Sequence, residues 1–386
     1  MNAHTELIIR GRIVSASVAL DDGVVLVTGD RIAAVRSFWQ WRAAHPDLPE
    51  PPFSGTVLPG LVDIHNHGGF GYRFDTVHGA DARAAAQSHH AHGSTTVVAS
   101  VVTGPAAEMV AQTATLRELA EEGLLGGIHV EGPFLAEGRC GAQDPRFLRD
   151  PDLGLTDRLL TAAGAHLRAM TLAPERPGYA AVARRLIDSG VVVALGHSDT
   201  DYSYFRNALL PNGSGSVVTH LANGMPPLHH RRPGPVAAAL AAAAAGDVIV
   251  ELIGDGVHVD PGFAALVFAT APGRVALVTD AMQAAGLGDG EYRLGPQPVT
   301  VRDGVARIAG GSIAGGVSTL LECVARAVRE SGVPLRDAVL AATSVPAAAL
   351  GLADVGDLRP GRFADILTVS DNLHLRGVLR RGQWLR

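Results

Sequence analysis

Short, almost wholly apolar runs recur through the middle of the chain, separated by alanine-rich stretches with helical spacing. Thr95–Val101, Gly127–Val130, Val191–Leu195, Ser216–Thr219, Val248–Ile253 and Val275–Thr279 are the clearest runs. Apolar runs of this length read as strands buried on both faces. Ala80–His92, Ala106–Glu121 and Thr319–Ser331 read as amphipathic helices between them. Strand–helix alternation of this kind predicts an α/β fold with a parallel sheet covered by helices. A stretch from about Leu58 to Leu350 is long enough to close as one (β/α)8 TIM barrel.

The two ends have a different pattern. Leu7 to Val35 breaks into short β-branched segments at Asp21-Asp22-Gly23 and Gly29-Asp30. Asp365 to Leu385 is similar, with Ala364–Val369 as its clearest strand and Leu358-Arg359-Pro360-Gly361 as the turn before it. The expected organisation is therefore a small β-sandwich domain from residues 1–57 and 351–386, flanking a barrel of residues 58–350. Phe38 to Pro52, rich in tryptophan and proline, is expected to be a loop insertion in the β domain.

Chemistry enters at the ends of the apolar runs. Val62-Asp63-Ile64 leads into His65-Asn66-His67, and Ile128-His129-Val130 leads into Glu131. His197 follows Val193–Gly196, His220 follows Val217–Thr219, and Asp280 follows Ala276–Thr279. In barrel enzymes the C-terminal strand ends converge on one site. His65 to Glu131 spans 66 positions and Glu131 to His197 another 66; His197 to His220 spans 23 and His220 to Asp280 spans 60. With units of roughly 30 residues, these residues fall on strands one, three, five, six and eight. Closure then brings the eighth strand beside the first. Neutral imidazoles with a carboxylate suit zinc or a similar divalent ion, and an open position admits water. The ion lowers that water's pKa, and a nearby aspartate can take its proton and pass it to a departing amine. His129, inside a strand, and His89, His90 and His92, near a helix end, read as structural histidines.

Composition narrows the options. The chain has 386 residues, of which 47% are hydrophobic, enough for a large core. A formal net charge of −6 with no basic block argues against a nucleic-acid surface. The most apolar stretch, Val236 to Ala245, is shorter than the about 20 residues a bilayer span needs, so no membrane role is expected. No export signal precedes the first strand-like segment, which makes a cytoplasmic protein the expectation. Cys140 and Cys323 form no CxxC pair and read as free thiols, Cys140 as an ordinary loop residue. There is no lysine anywhere in the chain. That excludes a P-loop lysine, Schiff-base chemistry and a carbamylated lysine bridging two metals.

Pro59-Gly60-Leu61-Val62-Asp63-Ile64-His65-Asn66-His67-Gly68, with the closing Leu358-Arg359-Pro360-Gly361-Arg362-Phe363-Ala364-Asp365, resembles the amidohydrolase superfamily. His129–Phe134, Leu172–Glu175, Gly196–Ser198, Thr219–Met225, Asp255–Asp260 and Thr279–Met282 resemble, within it, the N-acetylglucosamine-6-phosphate deacetylases. The resemblance covers nearly the whole chain. It implies hydrolysis of an N-acetylated amino-sugar 6-phosphate to acetate and the free amine. It assigns the principal metal to Glu131, His197 and His220, and the general base, then acid, to Asp280. The Asn223-Gly224 backbone, His258, and Arg231 reaching in from a neighbouring subunit would receive the sugar phosphate. An arginine fork suits that task in a lysine-free protein, and the arrangement implies a homodimer or higher homo-oligomer. His65 and His67 would hold a second ion bridged by Glu131. The ion is expected to be Zn2+, with Fe2+, Co2+ or Mn2+ as alternatives, in one or two copies.

The chain departs from the family pattern in one place. Many members carry Gly-x-His after the glutamate, with the imidazole polarising the acetyl carbonyl; here the stretch is Gly141-Ala142-Gln143. Gln143, with Ala142 beside it, can donate through its amide but cannot become cationic. The loop Ala136–Gly141 is a candidate lid, and the glycine-rich Ala309–Gly316 a candidate pocket wall. Two other readings stay open. One is a deacetylase for another N-acyl amino sugar, such as N-acetylgalactosamine 6-phosphate. The other is a catalytically silent binding protein on the same fold, which the intact set from His65 to Asp280 disfavours.

Overall fold

The computed structural model describes residues 7–209 and 217–385. Its centre is a ring of eight strands: Val62–Asn66, Thr96–Val101, Gly127–Glu131, Leu167–Leu172, Val192–Leu195, Val217–Val218, Ile249–Ile253 and Val275–Val278, here strands one to eight. They pair in chain order and every pair is parallel. One helix follows each: Gly79–Ala91, Ala106–Glu121, Leu153–Ala163, Tyr179–Asp188, Tyr202–Ala208, Gly234–Ala244, Pro261–Thr270 and Leu320–Arg329. The (β/α)8 expectation holds. Strand four, Leu167–Leu172, was not among the runs picked out by periodicity; Arg168 interrupts its apolar pattern. Ser216, the expected start of strand six, lies outside the described residues.

The ring closes where strand eight returns to strand one. Asp280 donates its backbone N–H to the His65 carbonyl at 2.9 Å, and His67 donates to the Ala281 carbonyl at 2.7 Å. Side chains reinforce this seam. The buried Asp63 carboxylate accepts from the Thr279 hydroxyl at 2.6 Å, the Thr279 N–H at 3.2 Å and the Asn66 amide at 2.9 Å. Near the strand beginnings, Val62, Val98, Ala169 and Ala276 share one apolar cluster with Ala347 and Leu350. That end of the barrel is a packed plug, which leaves the other end for polar chemistry.

Both termini build one seven-stranded sheet. Its order is Gln383–Trp384, Leu375–Arg380, Ile366–Val369, Phe53–Pro59, Leu7–Val14, Ala19–Thr28, Arg31–Ser37, so that N- and C-terminal strands meet at its middle. The expected loop insertion at Phe38 to Pro52 is corrected in part, because it opens with a helix, Phe38–Ala44. Ser37 and Gln40 form a capping box at its start, and Phe38 and Trp41 bury against Val24 and Leu26. The tryptophan that suggested irregular structure is the helix's anchor to the sheet.

A three-stranded sheet, Gly290–Leu294, Gln297–Arg302 and Val305–Arg307, is inserted between strand eight and the last barrel helix. It packs Leu294, Val299 and Val301 on Val102, Met282 and Ala284, beside the C-terminal ends of the strands. The glycine-rich segment leads back from it and runs along Asp280: Gly316 N–H donates to the Asp280 carbonyl at 2.7 Å. A Cβ at Gly316 would lie 2.2 Å from the Thr279 carbonyl oxygen, so only glycine fits there.

Asp63→Ala would leave Thr279 and Asn66 donors buried without an acceptor. At about 1–3 kcal/mol for such a group, the expected result is a thermal unfolding midpoint several degrees lower, with Asp63→Asn recovering part of the loss. An unchanged midpoint in the alanine variant would remove Asp63 from its role in closing the barrel.

Candidate metal centre

The predicted metal ligands and Asp280 stand at the C-terminal mouth of the barrel, each at or just after the end of its strand. His197, His220 and Asp280 have φ values of 49°, 26° and 46°, in the left-handed region that side chains other than glycine seldom occupy. The chain turns sharply at the end of strands five, six and eight, and the turn aims each side chain inward. Strain of this kind concentrates at functional sites. Gly224 also sits at positive φ, and a Cβ there would lie 2.8 Å from His197 Nδ1, so the turn after strand six packs directly on that imidazole.

The side chains form two trios, Glu131 with His197 and His220, and His65 with His67 and Asp280. Glu131 Oε1 lies 3.0 Å from His197 Nε2 and 2.9 Å from His220 Nε2. Its other oxygen lies 3.3 Å from His67 Nε2, so one carboxylate faces both trios. Asp280 Oδ1 is 3.2 Å from His67 Nε2 and 3.6 Å from His65 Nε2. Within each trio two imidazoles meet nitrogen to nitrogen, His197 with His220 at 3.1 Å and His65 with His67 at 3.2 Å. The four histidines and Glu131 are buried; the Asp280 side chain is 13% exposed and marks the open side.

Second partners fix which nitrogen faces the centre. His197 Nδ1–H donates to the Arg139 carbonyl at 2.7 Å, His67 Nδ1–H to the Ser100 carbonyl at 3.3 Å, and His65 Nδ1–H to Glu251 Oε2 at 2.9 Å. As a neutral ring each would present its Nε2 lone pair to a cation lying among the carboxylates, as metal-binding histidines require, and as a charged ring it donates Nε2–H to them. The electrostatics agree. Burial alone would lower His67, yet its hydrogen bonds with Asp280 and Glu131 push it up to about 9. Burial likewise opposes ionisation of Glu131, but the charge of His65 and hydrogen bonds from His197 and His220 hold its carboxyl well below the usual range. Buried carboxylates that draw positive charge onto surrounding imidazoles make a cation site, and this nitrogen–oxygen donor set fits a divalent metal.

Gln143 is buried over Glu131. Its Oε1 accepts from the Thr103 N–H at 2.8 Å, and its Nε2 donates to Glu131 Oε2. Because a backbone N–H can only donate, the Thr103 contact fixes which end of the amide is which. Ala142 beside it packs on the cluster of Val102 and Met282. The loop Ala136–Gly141 is pinned to a ligand: Ala136 N–H donates to the His197 carbonyl, and Arg139 pairs with Asp199 at 2.7 Å. Cys140, half-buried in it, has its thiol pushed up by burial, and among the described residues no basic group pairs with it.

His258 Nδ1 bonds Asp255 Oδ2 at 2.7 Å; burial would lower the imidazole, but Asp255 raises it above its ordinary value. Asn223 lies in the turn after His220, its N–H donating to the His220 carbonyl at 3.0 Å. Arg231 is not gathered into the centre. It sits on an exposed loop, its guanidinium 3.0 Å from His230 Nε2, lining a cleft of about 680 Å³ with Arg139 and Asp199. His129 bonds the Ser100 and Thr171 hydroxyls and belongs to neither trio. His89 bonds the Gly68 carbonyl, and burial pushes it down to about 4.

Sequence reasoning missed Glu251 on strand seven. The signal was present, a lone carboxylate in Ile249-Val250-Glu251-Leu252-Ile253, because acidic residues are rarely buried unless paired.

Residues 56–385 match the Amidohydrolase family. The chain is 32% identical to N-acetylglucosamine-6-phosphate deacetylase of Bacillus subtilis over 382 residues, 96% of this chain and 94% of that one. It is 34% identical to N-acetylgalactosamine-6-phosphate deacetylase of Escherichia coli O157:H7, covering 85% of this chain and 87% of the relative. The crystal structure of N-acetyl-D-glucosamine-6-phosphate deacetylase from Mycobacterium smegmatis superposes with a TM-score of 0.91 at 37% identity, over 98% of this chain and all of that one. A mutant of that enzyme has been solved in complex with N-acetyl-D-glucosamine-6-phosphate. With its barrel, its convergent strand ends and these relatives, the chain belongs to the amidohydrolase family.

Proposed function

We propose that the chain hydrolyses the acetamide of N-acetylglucosamine 6-phosphate to glucosamine 6-phosphate and acetate. The observation that carries this reading is Glu131, contacted on both oxygens by imidazoles and flanked by Asp280 at the one open side of the cluster. The sugar phosphate comes from the relatives, which include deacetylases of both the gluco and the galacto epimer.

Glu131, His197 and His220 would hold the principal ion, and His65 and His67, with Glu131 as bridge, a second. Zinc fits best, with Fe2+, Co2+ or Mn2+ compatible with the same imidazole and carboxylate donors. A divalent ion bound there supplies Lewis acidity, lowering the pKa of a coordinated water and polarising the acetyl carbonyl. Asp280 moves the proton. Burial would raise its pKa, but the charges of His65 and His67 bring it down to about 2, and a bound cation would act in the same direction once those rings are neutral ligands. The carboxylate takes a proton from the attacking water and returns it to the amine nitrogen as the C–N bond breaks. Gln143 spends one N–H on Glu131 and has a second to offer the substrate, with Ala142 shaping the wall beside it.

The phosphate would lie over the Asn223-Gly224 turn and near the His258 imidazole, which Asp255 keeps cationic to higher pH than usual. Among the described residues the Arg231 guanidinium hydrogen-bonds His230 and stands outside the centre, so its phosphate role would require a second copy and a homodimer or larger assembly. No helix among the described residues is long and apolar enough to cross a membrane. A sugar phosphate substrate and two free cysteines suit a cytoplasmic enzyme.

Acetate release from phosphorylated and unphosphorylated N-acetylhexosamines, measured on metal-quantified protein, tests the reading directly. Turnover is expected with the 6-phosphates, and none with any of them at full metal loading would sink it. Asp280→Asn should keep the principal ion and lose about 10²- to 10⁴-fold in kcat; near-normal turnover would take proton transfer away from Asp280. Arg231→Ala should raise KM for the 6-phosphate and leave metal content unchanged. Mixing Arg231→Ala with Asp280→Asn protein should restore activity, because one site in the mixed assembly then has both residues intact. No recovery after confirmed subunit exchange would place Arg231 outside the neighbour's site.

A further inference from the structure

Strand seven carries one charge in an apolar run. The Glu251 side chain is turned into the barrel and buried, where a carboxylate is tolerated only if it is paired. Its Oε2 accepts two hydrogen bonds, from His65 Nδ1–H at 2.9 Å and from the His220 backbone N–H at 3.1 Å. Glu251 belongs to neither trio of candidate ligands, yet one of its oxygens touches a member of each.

The two contacts differ in what they support. His220 sits at a strained turn that is also held by the Leu221 N–H on the Glu251 carbonyl and by the Asn223 N–H on the His220 carbonyl, at 2.8 and 3.0 Å. Those are backbone bonds and survive a change of side chain. His65 has no such support for its ring. His67 and His197 are oriented by the Ser100 and Arg139 carbonyls, while the described residues give the His220 Nδ1 no partner. Among the described residues, His65 is therefore the one imidazole of the four whose Nδ1 is held by another residue's side chain.

We propose that Glu251 is the positioning residue for the second ion, fixing His65 as an Nε2 ligand in register with His220. This rests on the reading of a two-ion centre. Glu251 touches neither substrate nor ion; it acts by holding the His65 ring so that the lone pair on Nε2 faces His67 and Asp280.

The test is calorimetric titration of metal-stripped protein with Zn2+, with metal content confirmed by elemental analysis. The proteins compared are wild type, Glu251→Ala, Glu251→Asp and Glu251→Gln. Wild type should bind two equivalents. Ala, and Asp with its carboxylate drawn back by one methylene, should weaken the second ion roughly 10- to 100-fold. Binding of the first ion should change little in both. Gln, whose amide oxygen can accept the same two N–H groups, should recover most of the loss. In turnover, kcat should follow second-ion occupancy, and KM for the 6-phosphate should rise as the second positive charge is lost. If Ala fails to fold, the Asp variant decides. Wild-type affinity for both ions in the folded Ala or Asp variant overturns the proposal, as does equal weakening of both ions. Wild-type protein that saturates at a single ion defeats the two-ion reading instead, and does so before any variant is compared.

Discussion

Everything at the mouth of this barrel is arranged around the Glu131 carboxylate. Two imidazoles meet one of its oxygens and a third meets the other, all out of contact with water. Burying a carboxylate is costly unless opposite charge and hydrogen bonds replace its hydration. The replacements come from strands one, five and six, with Gln143 closing over the top. No local segment of chain could bring these groups together. A closed parallel barrel does so because all its strands end at the same rim.

Closure and chemistry are thereby coupled. The seam between strands eight and one is formed by the backbone of His65, His67, Asp280 and Ala281, residues that are also in the centre or next to it. Behind it, Asp63 holds Thr279 and Asn66, so the position of Asp280 depends on a buried network one layer below the ligands. The opposite end is filled by valine, alanine and leucine. The strained turns at His197, His220 and Asp280 persist because this packing leaves them no relaxed alternative. Gly224 and Gly316 belong to the same device: Gly224 lets a turn press on His197 and Gly316 lets the returning segment press on Thr279, next to Asp280, where in each case a Cβ would collide.

How much of this could be read beforehand follows from what each signal measures. The strand-end residues were legible because burial fixes strand length and the unit repeat fixes spacing; strands one, three, five, six and eight stand where the intervals put them. The helix at Phe38–Ala44 was hidden because the buried faces of Phe38 and Trp41 answer to the sheet beneath, a tertiary fact. The three-stranded insertion was hidden because it is short and partly exposed, without a continuous apolar run. Glu251 could have been found by asking which charges lie inside apolar strands. What sequence could not supply is direction: that Gln143 turns its N–H toward Glu131 and its oxygen toward Thr103 depends on the folded loop alone.

Charge links loading of the centre to the substrate proposed for it. Glu131, Asp280 and Glu251 bring three negative charges to one buried cluster, and imidazoles acting as ligands are neutral. One divalent ion leaves that cluster negative, which repels a phosphate dianion; two ions make it positive. In a site of low effective dielectric such a change of sign is felt over several ångströms. An arginine supplied by a second copy would add to the positive side, and Asp255, paired with His258, raises that imidazole above its ordinary value. The residue that secures the second ion therefore helps to set the field met by the substrate, although it contacts neither. A chain without lysine has few other ways to build that field: fixed arginines at the rim, histidines held by carboxylates, and bound metal.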